Sequence, residues 1–121
     1  MKHRVEPAKL RIMFGPEIAM GPGKADLLDA IAATGSISAS ARRMRMSYRR
    51  AWKLVAVMNA CFRQPLVDTA TGGEHGGGTR LTPFGVAVLN RYRTMQDNAA
   101  RAVAEDTAAF AELLGDTPPE H

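Results

Sequence analysis

Five of the eight residues from Thr71 to Gly78 are glycine, and a segment so poor in side chains cannot be a packed helix or strand. It separates two short runs, Leu66-Val67-Asp68-Thr69-Ala70 and Thr79-Arg80-Leu81, that read as strands. The spacing predicts a β-hairpin with a mobile glycine tip, so the remaining chain must draw its core mainly from helices. A phosphate-cradling P-loop is excluded, because that motif ends in Gly-Lys-Ser/Thr before a helix. Gly78-Thr79-Arg80 precedes a strand, and Gly21-Pro22-Gly23-Lys24 is followed by Ala25.

Upstream, Lys9-Leu10-Arg11-Ile12-Met13-Phe14 alternates charged and apolar residues, which predicts a short half-buried strand ending at Gly15-Pro16. After Gly21-Pro22-Gly23, the positions of Leu27, Leu28, Ile31 and Ala32 predict an amphipathic helix from Lys24, stopped by Gly35. Ser36 or Ser38 caps a second, two-turn helix carrying Ile37, Ala41 and Met44 on one side. Arg45-Met46 is a tight connection, and Ser47 caps a third helix running to about Cys61. Its inward face is Ala51, Val55, Met58 and Phe62, with Trp52 beside them, expected to be buried and to lock the helix onto the core.

Thr82-Pro83 is an N-cap followed by an N1 proline, and no further proline occurs before Pro118. A single helix to Leu114, stopped by Gly115, would span about 50 Å, longer than the preceding head can cover. Phe84, Val88, Tyr92, Met95, Ala99, Val103, Phe110 and Leu114 form its apolar stripe, with an alanine-rich stretch at 99–111. This predicts a helical dimer interface. The alternative is a break near Asn98 with the tail folding back. The expected organisation is a head over 1–81, a dimerisation helix over 82–115 and a disordered acidic tail over 116–121.

Charge is unevenly placed in these 121 residues, whose net charge is +4. Residues 36–63 hold seven bases and no acid; residues 95–121 hold six acids and one base, Arg101. Such a split predicts a basic working surface facing a polyanion and an acidic segment with another task. The length allows one ordinary domain and excludes a large multidomain enzyme. One cysteine precludes an internal disulfide, which points to a reducing compartment. No run approaches a membrane span and the first residues lack a secretory signal, so the expected location is cytoplasmic.

The order strand, helix, short helix, turn, helix, hairpin, long helix is that of a winged helix-turn-helix: mainly α with a small β wing and a long C-terminal dimerisation helix. In this arrangement the second helix of the pair enters the major groove of duplex DNA by its N-terminal end. The residues assigned to DNA are Ser36, Ser38, Arg42, Arg43, Ser47, Tyr48, Arg49, Arg50 and Lys53, with Thr71, His75 and Arg80 on the wing. Arginine can make a bidentate contact with guanine, and Ser47 can reach a base edge or phosphate. Tyr48 can bond a phosphate through its hydroxyl. The dimer residues are Val88, Tyr92, Met95, Ala99, Val103 and Phe110.

Gly35-Ser36-Ile37-Ser38 with Ala41, Ser47-Tyr48 with Ala51-Trp52, Met58-Asn59, the two glycine clusters, and Leu81-Thr82 with Gly85 carry a resemblance. Over roughly residues 9–100 the chain resembles the N-terminal domain of the ModE molybdate-responsive regulators, and more distantly the DNA-binding domain of LysR-type regulators. The resemblance implies a dimeric winged helix on a palindromic operator, read from the helix starting at Ser47. It also implies molybdate-binding domains beyond the head. With only an acidic tail up to His121, the expectation is that these are lacking and that molybdate sensing is not inherited.

Other classes fare less well. There is no HExxH and no local Ser/His/Asp grouping, and Glu74-His75 lies in the glycine tip, so no enzyme is expected. His3, His75, His121 and Cys61 lack ligand spacing, so no metal or other cofactor is expected, and Cys61 is read as a small buried core residue. A regulator sensing a metal or oxyanion directly remains an alternative. So does an interaction module whose long helix pairs with a separate effector-sensing protein.

Overall fold

The computed structural model describes residues 6, 8–70 and 78–120. Two antiparallel hairpins and five helices follow the order β1 (Ile12–Phe14), β2 (Glu17–Met20), α1 (Pro22–Thr34), α2 (Ile37–Arg43), α3 (Tyr48–Cys61), β3 (Val67–Ala70), β4 (Gly78–Leu81), α4 (Pro83–Ala102) and α5 (Ala104–Ala111). The winged helix-turn-helix architecture is therefore present.

α1 is the centre of the core. Gly21 and Pro22 start it, and Gly35 ends it in the left-handed conformation at φ 69°, its N–H bonded to the Ile31 carbonyl. Leu27, Leu28 and Ile31 are fully buried, whereas Ala32 is exposed. Ile37 and Ala41 of α2, Ala51, Val55 and Met58 of α3, Leu66 and Val67, and Leu89 and Tyr92 of α4 close around them. Each large apolar side chain buried here contributes on the order of 2 kcal/mol.

The wing is fixed at its root. Asn59 of α3 donates to the Val67 carbonyl at 3.1 Å and accepts from the Leu66 and Val67 N–H groups at 2.8 and 3.1 Å. Val67 pairs with Leu81, Asp68 with Arg80 and Thr69 with Thr79. The Thr79 N–H donates to the Gly35 carbonyl at 3.0 Å, joining β4 to the end of α1. Thr82 caps α4 by accepting from the Gly85 N–H, and its own hydroxyl donates to the Pro65 carbonyl at 2.7 Å.

The sequence reading needs correction in several places. β1 is exposed along its length rather than half-buried, and its partner β2 was not expected. The helix expected to run to Leu114 is interrupted at Val103, beyond Asn98, where φ is −106° and ψ 8°. The Val103 N–H still bonds the Ala99 carbonyl, and the Thr107 N–H bonds Val103, so hydrogen bonding carries across the irregular residue. Helical structure then ends at Ala111. Cys61 is only partly buried. Trp52, expected inside, is 48 % exposed, because fully buried Ala51 occupies the inward position and the next residue lies about 100° round the helix.

Candidate nucleic-acid interface

The interface begins with two caps. Ser36 Oγ accepts from the Ala39 N–H at 3.0 Å and starts α2; Ser47 Oγ accepts from the Arg50 N–H at 3.1 Å and starts α3. Fully buried Ser40 donates to the Ser36 carbonyl and contacts Thr34 Oγ1 at 3.0 Å, fastening α2 to the end of α1. Between the helices Arg45 takes φ 57°, a left-handed geometry that costs a residue with a Cβ about 1 kcal/mol. The Met46 N–H returns to the Ala41 carbonyl at 2.9 Å and closes the turn.

This turn aims the N-terminal end of α3 away from the core. With Ala51, Val55 and Met58 inward, the opposite side carries Tyr48, Arg49, Trp52, Lys53 and Ala56, which line a shallow surface groove of about 450 Å³. Tyr48 is 54 % exposed, so two aromatic rings stand beside two cations on an open surface. Such an arrangement can offer bidentate donors to a base edge, a hydroxyl to a phosphate, and flat apolar faces to sugar or thymine methyl groups.

Arg50 lies on another flank. It shares a second groove, of about 460 Å³, with Lys9, Arg11 and Lys24 and with Met44, Met46 and Leu54. The Lys24 ammonium donates to the Ile18 carbonyl, which holds the side chain in place. Neither this groove nor the outward position of Trp52 was read from the sequence. The available signal for Trp52 was its spacing of four from Tyr48.

Of the other expected DNA residues, Ser38, Arg42 and Arg43 are exposed on α2, and Ser36 is half-buried as its cap. Arg80 projects from β4, its side chain 80 % exposed and 3.7 Å from Asp68, a surface pair of little energetic consequence. Thr71 and His75 lie outside the described residues. Among the described residues, no three His, Cys, Asp or Glu side chains gather as a metal site.

The expected dimer residues divide. Val88 and Ala99 are half-buried, and Met95, Val103 and Phe110 are exposed, the last at 65 %. Tyr92, expected at a dimer interface, is instead 2 % exposed and belongs to the core of the chain itself. Exposed Met95 instead borders an apolar groove of about 580 Å³ with Ile12, Met20, Phe62, Phe84 and Val88. The Arg63 guanidinium stands 5.6 Å over the Phe84 ring at its edge.

Behind this surface α4 is tied to α1. Arg93 donates to Asp26 at 2.8 Å, Asp29 at 2.5 Å and Gln96 at 2.9 Å. Burial opposes its charge, but the hydrogen bonds it donates to the two carboxylates, with their negative charge, outweigh that and raise its pKa.

Known proteins agree with the geometry. Residues 24–86 match the family model for bacterial regulatory helix-turn-helix proteins of the lysR family. The molybdenum-pterin-binding protein MopB of Rhodobacter capsulatus is 41% identical over 101 residues, covering 84% of this chain and 36% of its own length. The DNA-binding transcriptional dual regulator ModE of Escherichia coli K12 is 37% identical over 102 residues, 82% of this chain and 39% of its own. This chain thus spans under two fifths of the length of these two relatives. The CbnR DNA-binding domain, solved in complex with DNA, superposes with a TM-score of 0.55 at 23% identity, covering 72% of this chain and 94% of that domain. By its fold, its capped helix pair and the matched segment, the chain belongs to the bacterial regulatory helix-turn-helix proteins of the lysR family.

Proposed function

We propose that the chain is a sequence-specific transcriptional regulator that binds double-stranded DNA as a homodimer on a palindromic operator. The observation that carries this reading is the outward face of α3, where Tyr48, Arg49, Trp52 and Lys53 converge at the end of a helix-turn-helix. α3 enters the major groove by its first turns, α2 braces it against the backbone through its N-terminal end, and the wing follows the neighbouring phosphates. The DNA-binding role named for the Escherichia coli relative supports the same reading. A regulator of this kind works in the cytoplasm.

The dimer reading rests on apolar surface that the described residues leave uncovered. Met95, Val103, Phe110, Leu113 and Leu114 are exposed along α4 and α5 and just beyond, an arrangement suited to a second copy. A separate sensor protein is the competing partner for the same surface.

Selection of bound duplexes from a random-sequence pool tests the function. One enriched motif with inverted symmetry is expected, bound with log K falling steeply against log salt. A flat salt response with no sequence preference would sink the reading.

A further inference from the structure

Arg49 and Arg50 are neighbours in sequence but face different grooves. Arg49 lies opposite the buried stripe of α3, in the open groove with Trp52 and Lys53. Arg50, about 100° further round, is turned toward the flank where α3 meets the start of α1 and the segment leading into β1. We propose that the two arginines divide the work on DNA: Arg49 reads a base edge, while Arg50 joins Lys9, Arg11 and Lys24 in a channel that holds a phosphate strand. The inference rests on the DNA-binding reading above and deepens it.

Three features support the division. Every charged residue lining the flank groove is basic, and the rest of its wall is largely apolar, including Ile18, Met44, Met46 and Leu54. A polyanion is therefore favoured there by charge, and apart from the four cations the wall offers no carboxylate, amide or hydroxyl side chain with which to read a base edge. Second, the groove includes Arg50 of the first turn of α3, so it adjoins the helix end that the DNA-binding reading places in the major groove. Third, Lys24 is held by the Ile18 carbonyl while retaining ammonium hydrogens to donate, which fixes one cation in the wall. The outward groove differs on each point: it combines two cations with two aromatic rings and ends in the small Ala56, which lets the helix approach base edges closely.

The two roles have different thermodynamic signatures. A base-reading side chain sets the ranking among sequences, whereas a phosphate-binding one weakens all duplexes alike and changes the salt dependence. The test uses the full chain, a duplex enriched from a random pool by that chain, its single-base variants, and a scrambled duplex of equal length. Affinities are measured across a salt series. Arg49→Ala is expected to lower discrimination at one base pair by about tenfold or more. Arg50→Ala is expected to weaken the enriched and scrambled duplexes by a common factor, leave the base ranking intact, and reduce the salt slope by about 1. Arg50→Lys keeps the charge and should keep the slope. The double variant Lys9→Ala/Arg11→Ala should lower the slope by about 2 with the ranking unchanged. A changed base ranking in Arg50→Ala, or a full wild-type slope in the Lys9/Arg11 variant, overturns the division. If the unmodified chain binds neither duplex, the DNA-binding reading itself is overturned.

Discussion

The Tyr92 hydroxyl donates to the Leu10 carbonyl at 2.6 Å, joining the middle of α4 to the segment that leads into β1 across 82 positions of sequence. The ring is 2 % exposed, so both the hydrogen bond and the packing around it are shielded from water. Tyr92→Phe keeps the ring and orphans the carbonyl, and should cost about 1 kcal/mol in chemical denaturation. Burial also raises the phenol above its ordinary pKa of 10.0. The neutral phenol thus contributes stability that is full below about pH 10 and is lost as pH rises through the raised folded value. The stability gap between wild type and Tyr92→Phe should therefore narrow in alkaline solution. A gap that is constant or widens would contradict this account.

Trp52 is the chain's only tryptophan and stands 48 % exposed on the face assigned to DNA. Its fluorescence is a direct probe of that face. Iodide should quench the free protein efficiently, and addition of an enriched duplex should protect the ring. Trp52→Ala should weaken duplex binding by about tenfold with little change in unfolding midpoint, since an exposed residue outside special backbone geometry carries little stability. Quenching unaffected by saturating duplex would remove this face from the interface.

Asn59 bridges α3 and the chain entering β3 through its amide, with one donated and two accepted hydrogen bonds. Asn59→Ala leaves three backbone groups without these partners and should destabilise by about 2–3 kcal/mol. Asn59→Asp can still accept both N–H bonds but presents an acceptor to the Val67 carbonyl, so it should restore only part of the loss. Equal stability of all three proteins in urea would show that the joint does not hold the wing.

Gly85 lies where α4 crosses the backbone before β3. A Cβ there would sit 2.1 Å from the Leu66 carbonyl oxygen, with main chain rather than a movable side chain in the way. Gly85→Ala should therefore destabilise by roughly 2–4 kcal/mol despite the higher helix propensity of alanine. A rise in melting temperature would mean that α4 can shift away from Leu66 at no cost.

Met95 is 39 % exposed at the border of the apolar groove on α4. Met95→Glu should leave the fold of the chain intact and favour monomers, because burying a carboxylate at a dimer seam costs several kcal/mol, which Arg91 in the same groove offsets only in part. Sedimentation equilibrium reads this directly, and a variant still dimeric at micromolar concentration would assign the groove to another partner.

Much of the fold was legible because its boundaries are written in local chemistry. Ser47 and Thr82 each accept the amide hydrogen bond that their types and positions forecast, and of the two serines offered for α2 it is Ser36 that does so. Gly35 takes the left-handed geometry that ends α1. What was missed depends on contacts rather than on residue type. Glu17-Ile18-Ala19-Met20 has no alternation, since Ala19 and Met20 are both buried, so periodicity could not reveal β2. Trp52 was placed inside as a neighbour of the apolar face, while the helical phase set by Ala51, Val55 and Met58 turns it outward. The irregular Val103 follows no glycine or proline; it lies past Gln96, the last buried residue of α4, where tertiary packing no longer supports the helix. Of the candidate site, the caps and the outward positions of Tyr48, Arg49 and Lys53 were readable. The convergence of Lys9, Arg11, Lys24 and Arg50 was not, because three chain segments build it.

The hydrogen bond from the Thr79 N–H to the Gly35 carbonyl has a mechanical consequence. It pins β4 to the same helix end from which α2 departs through the Thr34, Ser36 and Ser40 network. The strand β4 and α2 are thus fastened to one helix end, and α1 sets the distance between them like the rivet of a pair of callipers.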